Sequence, residues 1–373
     1  MKKKYKNSIM ILILLTVLIG CSQKENDKSP AQIKDTTTKN TATENTTAED
    51  IVVFPDRYNT EMERVKFQCE LEIPEGFTGL MQDYHVNEQV YCDSNKFYEM
   101  FAPESELKEH HTNPVSEGLP EDNTYIFADG TTIASGFQCL YNSINNVYYN
   151  QLGVMDSIEI SSNEKLSFAE PETCIEDVNE ILRQLGYPAD DFFFSWHSLN
   201  AQAMEQAEEQ LISSGDFPEE KRKKGWTSED DIYVIYAYQK CGTLPVFHEI
   251  MSLGRSLAYD TPSGAPVQAV YSVRGLESLL VNNIYAFEKA EKDLHLKNFD
   301  EIAKVVEEKF NSILNEADYA VTRAKLYERV YYDEKQNYAV EPTWYFEIIE
   351  NGNESRTSVT LVNAVTGKEI YLP

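Results

Sequence analysis

The chain has 373 residues, and its 62 acidic against 33 basic side chains give a formal net charge of −29 at pH 7. Such a negative field argues against nucleic acid as a partner, and against binding of anionic lipids or teichoic-type polymers through the bulk surface, because like charges repel. The length beyond residue 50 is enough for two ordinary domains.

The N-terminus has the pattern of an export signal. Four lysines precede an apolar stretch over 9–19, which is too short to cross a bilayer because a spanning helix needs about 20 residues. The sequence Leu-Ile-Gly-Cys at 18–21 resembles the bacterial lipobox. The resemblance implies a signal peptide over 1–20 and a lipid (diacylglyceryl, palmitate-type) anchor on Cys21, at the extracytoplasmic face of the cell membrane of a Gram-positive-type bacterium. The alternative is an ordinary signal peptide with a chance cysteine.

Residues 21–50 predict a lipidated cysteine followed by a disordered tether. Beyond Cys21 the segment has no aromatic side chain, seven threonines and mixed charges, so it cannot bury enough apolar surface to offset chain entropy. Removal of the leader, with its four lysines and no acids, takes the net charge to −33.

Residues 51–167 predict a β-rich domain. Asp129-Gly130 predicts the turn of a hairpin between two strands. A further strand is predicted at 146–155. The stretch 102–122, rich in proline, glutamate and histidine, is predicted to be a long surface loop.

Five cysteines remain beyond Cys21, and an odd number leaves at least one unpaired. Cys69 lies in a stretch of alternating apolar and polar residues, which places it on the buried face of a strand. Cys174 falls on the apolar face of a predicted helix, so both are interpreted as core residues rather than redox or metal groups. If a disulfide forms, the sequence favours two of Cys69, Cys92 and Cys139.

Residues 168–297 and 298–373 predict two α+β units, each with the order helix, strand, strand, strand. Helices are predicted at 171–186 and 198–214 in the first unit and at 298–316 in the second. Each antiparallel sheet is expected to pack its apolar face against its helix; chance similarity between strands is the alternative to a repeat. The predicted fold class is α+β, with a β-rich N-terminal domain followed by two helix-plus-antiparallel-sheet units.

The C-terminal stretch joins a Pro-x-Trp-x-Phe strand at 342–346 to an Asn-Ala-x-Thr-Gly-x-x-Ile hairpin at 363–370. It resembles the last strands of PepSY-like and YycI/YycH-like extracytoplasmic modules, and the helix entry at 166–187 is similar to that of uncharacterised lipoproteins of clostridia and other Firmicutes. The resemblance covers 167–373. It implies a non-catalytic envelope module, because PepSY domains restrain proteases and YycI/YycH proteins modulate a sensor kinase. Unlike YycI and YycH, this chain has no predicted transmembrane helix.

Motifs for catalysis are nearly absent. His-Glu at 248–249 lacks the second histidine of a zinc site, and Ser-x-x-Lys at 162–165 lacks the Lys-Thr-Gly partner of penicillin-binding enzymes. His-His at 110–111 could bind a metal weakly, but a solvated loop is favoured. No catalytic residue, metal or cofactor is therefore predicted, and the chain is not expected to be an enzyme.

Two surface features remain. The strong basic cluster of this acidic chain predicts an interaction surface for lipid headgroups or an acidic partner, with a loop balanced by nearby acids as the alternative; it consists of Lys221, Arg222, Lys223, Lys224 and Trp226. Tyrosines on the predicted strands could form a platform for sugars or peptides, but tyrosine is also a common strand residue.

The leading functional hypothesis is a membrane-anchored, non-catalytic lipoprotein that binds and regulates another envelope protein. It predicts an exposed apolar-aromatic patch on one unit. The alternative is a lipoprotein that binds a small ligand, peptide or glycan in an interdomain cleft. An enzyme of unfamiliar type would need perturbed ionisable groups clustered in such a cleft.

Overall fold

The computed structural model describes residues 54–75, 77, 79–113, 120–152, 161–248, 264–351 and 356–371. The predicted signal peptide, Cys21 and the tether lie outside these residues. Within the described ranges no helix is long and apolar enough to cross a membrane. The helices of this part of the chain are α1 (Ser94–Phe101), α2 (Asn146–Gln151), α3 (Pro171–Gln184), α4 (Ala201–Ser214) and α5 (Phe299–Asn311).

Strands make up most of the regular structure, and together with the helices they confirm the α+β class. The strands are β1 (Arg57–Met62), β2 (Val65–Glu72), β3 (Leu80–Val90), β4 (Leu107–Asn113), β5 (Asp122–Phe127), β6 (Thr132–Ser135), β7 (Cys139–Asn142), β8 (Phe192–Leu199), β9 (Ile232–Cys241), β10 (Leu244–His248), β11 (Val267–Ser272), β12 (Gly275–Val281), β13 (Ile284–His295), β14 (Asp318–Tyr332), β15 (Tyr338–Asn351), β16 (Arg356–Asn363) and β17 (Glu369–Ile370).

Most strands belong to one mixed sheet with the order β17-β16-β15-β14-β10-β9-β11-β12-β7-β6-β5-β4, while β8 pairs with β9 and β1 with β2. The long strand β14 joins the parts of this sheet, because β2 runs parallel to its first half and β10 runs parallel to its second half. We call β1, β2 and β14–β17 the α5 half-sheet, and β4–β9 with β11 and β12 the α3 half-sheet, after the helices that cover them. Strand β10 connects the two halves.

Helix α5 packs on one face of the α5 half-sheet. It begins after Asn298, whose side chain accepts a hydrogen bond from the backbone N–H of Glu301 at 2.9 Å and so caps the helix. Phe299 lies edge-on to Trp344, with 4.9 Å between ring centroids. The alternate residues Trp344, Phe346 and Ile348 are all buried in this core. The prediction that this sheet packs its apolar face on its helix is confirmed.

The two cysteines predicted to lie in the core are buried there. Cys69 is on the inner face of β2, whose residues alternate between buried and exposed. Cys174 lies on the face of α3 that packs on the α3 half-sheet. Side chains on one face of a strand recur every two residues, and those on one face of a helix every 3.6 residues. The spacing of apolar residues was therefore sufficient for both predictions.

A separate two-stranded ribbon, β3 with β13, lies next to the large sheet. Its end is held to β9 by Gln239, whose amide donates to the Tyr285 carbonyl at 2.6 Å and accepts from the Tyr285 N–H at 3.1 Å. Just beyond β3, Cys92 forms a disulfide with Cys139 on β7, two of the three cysteines that the sequence favoured. The ribbon is therefore fixed to the α3 half-sheet at this end.

Two local predictions are wrong. The stretch 102–122, predicted as a loop, contains β4, the edge strand of the sheet, all of whose residues are exposed. The strand predicted at 146–155 begins instead as helix α2. The predicted hairpin at Asp129-Gly130 is confirmed by the pairing of β5 with β6, and Gly130 has the positive φ of 99° that favours glycine in such a turn.

Strands from the predicted β-rich segment contribute to both half-sheets: β1 and β2 to one, β4 to β7 to the other. The predicted domain boundaries at 167 and 297 stay a prediction. The two predicted α+β units differ in the order and in the pairing of their elements. In the first unit β8 lies between α3 and α4, and β9 to β13 follow α4, so the predicted order of helix, strand, strand, strand is not found there; in the second, β14 to β17 follow α5. In the second unit β16 pairs with β15, whereas in the first β11 pairs with β9 and β10 pairs with β14.

Candidate functional site

The predicted basic surface lies on the loop between α4 and β9. Arg222 is paired with Glu219 at 2.8 Å and lies 3.6 Å from Glu209. Lys221 and Lys224 are exposed, and within the described part of the chain neither has an ion pair. Two of the four cations are therefore available on the loop, and the interaction surface stays a prediction.

The remaining members of the cluster hold the loop against α4. The carboxylate of Glu208, only 1 % exposed, accepts hydrogen bonds from the Lys223 backbone N–H at 2.8 Å and from the Trp226 indole N–H at 2.9 Å. The Lys223 ammonium lies 4.4 Å from the centre of the Trp226 ring and also pairs with Asp230. Lys223 and Trp226 thus have a structural role in addition to any part in binding.

The histidine pair at 110–111 and the Ser-x-x-Lys motif at 162–165 do not form a common site. On exposed β4, His110 contacts the Asn123 side chain at 3.0 Å and His111 contacts Glu109 at 3.1 Å. No group of three or more potential metal ligands occurs among the described residues. Ser162 bonds to Ser198 at 2.9 Å. The Lys165 ammonium forms an ion pair with the Glu170 carboxylate.

Most of the strand tyrosines belong to the core. Tyr233, Tyr236, Tyr238 and Tyr327 are all buried, as expected for residues that fill a sheet–helix interface. Tyr332, at the end of β14, is different because 43 % of it is exposed. The tyrosines at these four positions therefore form no exposed platform for a ligand.

An aromatic surface, which we call the tyrosine patch, consists of the exposed Phe137 and Tyr332 and the partly buried Tyr91 and Tyr338. The rings of Tyr332 and Tyr338 stack with 4.8 Å between centroids, and those of Tyr91 and Phe137 are 6.2 Å apart. Three separate segments supply these rings: the end of β3, the β6–β7 turn and the β14–β15 hairpin. An exposed apolar-aromatic patch was expected of a binding module, and Tyr332 and Tyr338 lie in the second predicted unit.

A concave feature lies where the start of β3 meets the β9–β10 turn. We call it the junction pocket; it is open to solvent and has a volume of about 320 Å³. Its lining is both apolar and polar, and consists of Pro74, Glu75, Phe77, Leu80, Met81, Gln82, Tyr84, Cys241, Gly242 and Thr243. Apolar side chains of the ribbon form one wall, and the turn forms the other. Such a pocket is at the lower end of the size range of small-ligand sites, about 300–1,000 Å³.

The glycine in the turn is required by the close approach of Tyr84. Gly242 has φ of 60°, and a Cβ atom there would lie 2.7 Å from the Tyr84 hydroxyl oxygen. Any side chain at 242 would therefore displace the tyrosine from the wall of the pocket. The turn and the ribbon are fitted to each other at this point.

A buried carboxyl group lies close to the pocket wall. Glu328 on β14 is 2 % exposed, and within the described structure its carboxyl makes no hydrogen bond or ion pair. Burial raises its pKa well above the ordinary value, with Asp83 and Glu341 adding electrostatic repulsion. Burial also raises the pKa of Cys241 and of Tyr84, and the Glu328 charge contributes to both.

All three groups are shifted toward their neutral forms. A nucleophilic thiol needs a lowered pKa, so the raised pKa of Cys241 does not favour nucleophilic chemistry by this thiol. The apolar side chains of the lining are suited to contact with an apolar group.

Sequence reasoning missed the junction pocket and the tyrosine patch because their parts are far apart in the chain. The junction pocket joins residues 74–84 to 241–243. One signal for the buried acid was present: Leu326, Glu328 and Val330 share a face by the strand period of two, and the flanking two are apolar.

Comparisons with known proteins give a fold but no family. No family model matches the chain, and no curated protein matches it. A crystal structure of an uncharacterised protein from Eubacterium rectale is similar, with a TM-score of 0.56 and 11 % identity over 86 % of this chain and 94 % of that one. At this identity the likeness shows a common fold and carries no function.

Proposed function

We propose that this chain is an extracytoplasmic lipoprotein, anchored to the membrane through Cys21, that binds another envelope protein without catalysing a reaction. The lipobox-like sequence at 18–21 supports the anchor. The junction pocket is the observation that carries the binding role, because it offers an open cavity with both apolar and polar side chains, into which a partner's side chain can insert. Regulation of a protease or sensor is the form of binding that the PepSY-like and YycI/YycH-like resemblance favours.

The chemistry around the pocket supports binding rather than catalysis. Burial moves Cys241 and Tyr84, which both line the pocket, toward their neutral forms. An apolar anchor of the partner can contact this part of the lining, while Glu75 adds a carboxyl group that can accept a hydrogen bond from the partner.

A small uncharged ligand is the second candidate occupant. The pocket volume of about 320 Å³ is sufficient for a compact molecule, and the hydroxyl of Tyr84 beside Gly242 provides a polar contact at the wall. In this case the protein would be a ligand-binding lipoprotein with its site at the junction of the two half-sheets.

Site-specific crosslinking in native membranes tests the proposal. A photoreactive residue in place of Leu80, which lines the pocket and is 41 % exposed, should yield one stoichiometric adduct with an envelope protein. The same residue in place of the fully exposed Leu314, on the turn after α5, serves as the control and should yield none. Equal adducts at both positions, or no protein adduct at Leu80, contradict binding of a protein partner at the pocket. The second result directs the search to a small ligand.

A further inference from the structure

The tyrosine patch is locked in one arrangement by hydrogen bonds. The Tyr332 hydroxyl donates to the Tyr338 hydroxyl at 3.0 Å, and the Tyr338 hydroxyl donates to the side-chain oxygen of Gln89 at 3.0 Å. Gln89 is buried on β3, so the chain of bonds ends in the protein interior. The rings are therefore held in place before a ligand arrives, which lowers the entropy lost on binding.

The hydrogen-bonding capacity left at the surface is that of an acceptor. Both phenolic protons point inward along this chain, and no donor to the Tyr332 oxygen occurs among the described residues. A phenolic oxygen has two lone pairs, so Tyr332 presents lone pairs and a ring face, 43 % of the residue being exposed. A matching ligand has hydroxyl donors beside C–H surfaces.

Charged side chains adjoin the patch on the β14–β15 turn, where Asp333, Glu334 and Lys335 lie between Tyr332 and Tyr338. Burial raises the pKa of Tyr91 and of Tyr285, which lies beneath Tyr338, and the electrostatic contributions to both come from other phenols of the cluster. No carboxylate or cation of the described chain contributes to either shift. The two acidic side chains of this turn and the net charge of −29 on the whole chain repel an anionic ligand, so the rings and the Tyr332 oxygen are suited to a neutral one.

We propose that the tyrosine patch binds a neutral saccharide, at a site separate from the junction pocket. Sugar C–H faces pack on the exposed rings of Tyr332 and Phe137, and a sugar hydroxyl donates to the Tyr332 oxygen. The binding does not depend on the partner proposed for the junction pocket. A surface lipoprotein with this site would contact uncharged glycan of the envelope or its surroundings.

Titration calorimetry with defined oligosaccharides tests this site. The mature chain is titrated with maltotetraose, cellotetraose and chitotetraose, each at millimolar concentration, and at least one should bind. Tyr332→Ala should weaken that binding tenfold or more, since it removes the ring and the acceptor. Tyr332→Phe, which keeps the ring, should weaken it less.

Tyr371→Ala is the matched control, because Tyr371 is also an exposed tyrosine, at 79 %, but lies after β17 and outside the patch. It should leave the affinity unchanged. No binding of any of the three sugars, or equal binding by the Tyr332→Ala variant with an unchanged unfolding midpoint, overturns the proposal. Preference for tetragalacturonate or for a proline-rich peptide would also overturn it, because the ligand would then be charged or not a saccharide.

Discussion

Two buried glutamates of this protein are accommodated in opposite ways. Glu208 keeps two strong donors, the Lys223 backbone N–H and the Trp226 indole N–H. Glu328 has no such partner in the described structure, and burial moves its pKa well above the ordinary value. A buried carboxyl either finds donors or shifts toward the neutral form, so the two residues should respond differently to substitution.

Glu208→Ala should destabilise the protein by about 1–3 kcal/mol, because it removes the acceptor of two partly buried N–H groups. The adjacent Glu209 is exposed and makes one loose ion pair with Arg222, so Glu209→Ala should cost about 0.5 kcal/mol or less. Urea unfolding followed by circular dichroism measures both. Equal effects of the two substitutions would show that the Glu208 contacts do not hold the loop.

Glu328→Gln should change how stability depends on pH. In the unfolded chain Glu328 ionises near its ordinary pKa of about 4.3, whereas the folded carboxyl keeps its proton to higher pH. Between these two values the folded state binds more protons, so the free energy of unfolding of the natural protein falls as pH rises. The variant has no carboxyl group at this position to ionise. Its free energy of unfolding should therefore rise relative to that of the natural protein, by up to about 1.4 kcal/mol for each pH unit between the two pKa values.

Urea unfolding at about pH 4 and about pH 8 measures this difference. Glu334→Gln, at an exposed position in the β14–β15 turn, is the control and should not alter the pH dependence. A constant difference between Glu328→Gln and the natural protein across this range would show that the buried carboxyl is already ionised.

The β9–β10 turn shows how one element depends on another for its geometry. Its glycine has φ of 60°, and its open side is occupied by the Tyr84 hydroxyl of β3. A contact of this kind between distant elements cannot be predicted from the sequence, although some of the elements themselves can. Strand β2 and helices α3 and α5 were predictable because their apolar residues repeat with the local period, whereas β4 is an edge strand with exposed polar residues and lacks that period.

Helix α2 was mistaken for a strand for a related reason. Its sequence contains a valine and two tyrosines, which favour strands in isolation. Tertiary contacts outweigh this preference: Tyr149 is buried, and its hydroxyl accepts a hydrogen bond from Arg274 at 2.9 Å. Arg274 lies 125 positions away, so the stabilising contact was not visible locally.

Gly242→Ala should be more damaging than an equivalent change at a glycine without neighbours. Gly215, at the end of α4, also has positive φ, of 83°, but a Cβ atom added there would have nothing within 4 Å of it. Gly215→Ala should cost about 1 kcal/mol from backbone strain alone, and Gly242→Ala about 1–3 kcal/mol more from the contact with Tyr84.

A double-mutant cycle separates the contact from the strain. Tyr84→Phe removes the hydroxyl oxygen that an alanine at 242 would meet at 2.7 Å, so it should reduce the cost of Gly242→Ala. Chemical denaturation of the four proteins gives the coupling energy. A coupling of zero would mean that the turn and Tyr84 do not contact each other in solution.

At the scale of the whole molecule, the proposed membrane anchor lies at one end of the chain and the two binding features lie on the described body. The tether and Cys21 are outside the described residues, and the net charge of −29 gives the body no general attraction to an anionic membrane surface. Attachment should therefore depend on the lipid.

Cys21→Ser should abolish incorporation of labelled palmitate and release the protein from the membrane fraction, because the acyl chains supply the affinity. Metabolic labelling followed by fractionation of the cells measures both. Ser22→Ala, one residue further on, is the control and should leave lipidation intact. Labelling of the Cys21→Ser variant would contradict the lipobox interpretation.

The local features of this protein could be derived from its sequence: the buried faces of β2, α3 and α5, the hairpin turn at Asp129-Gly130, and the α+β class. Each depends on side chains a few positions apart, whose spacing sets which face is apolar. The pairing of β14 with both β2 and β10 is visible in the folded structure alone, as are the junction pocket and the tyrosine patch. These features join segments far apart in the chain, and contacts between distant segments leave no periodic pattern in the sequence.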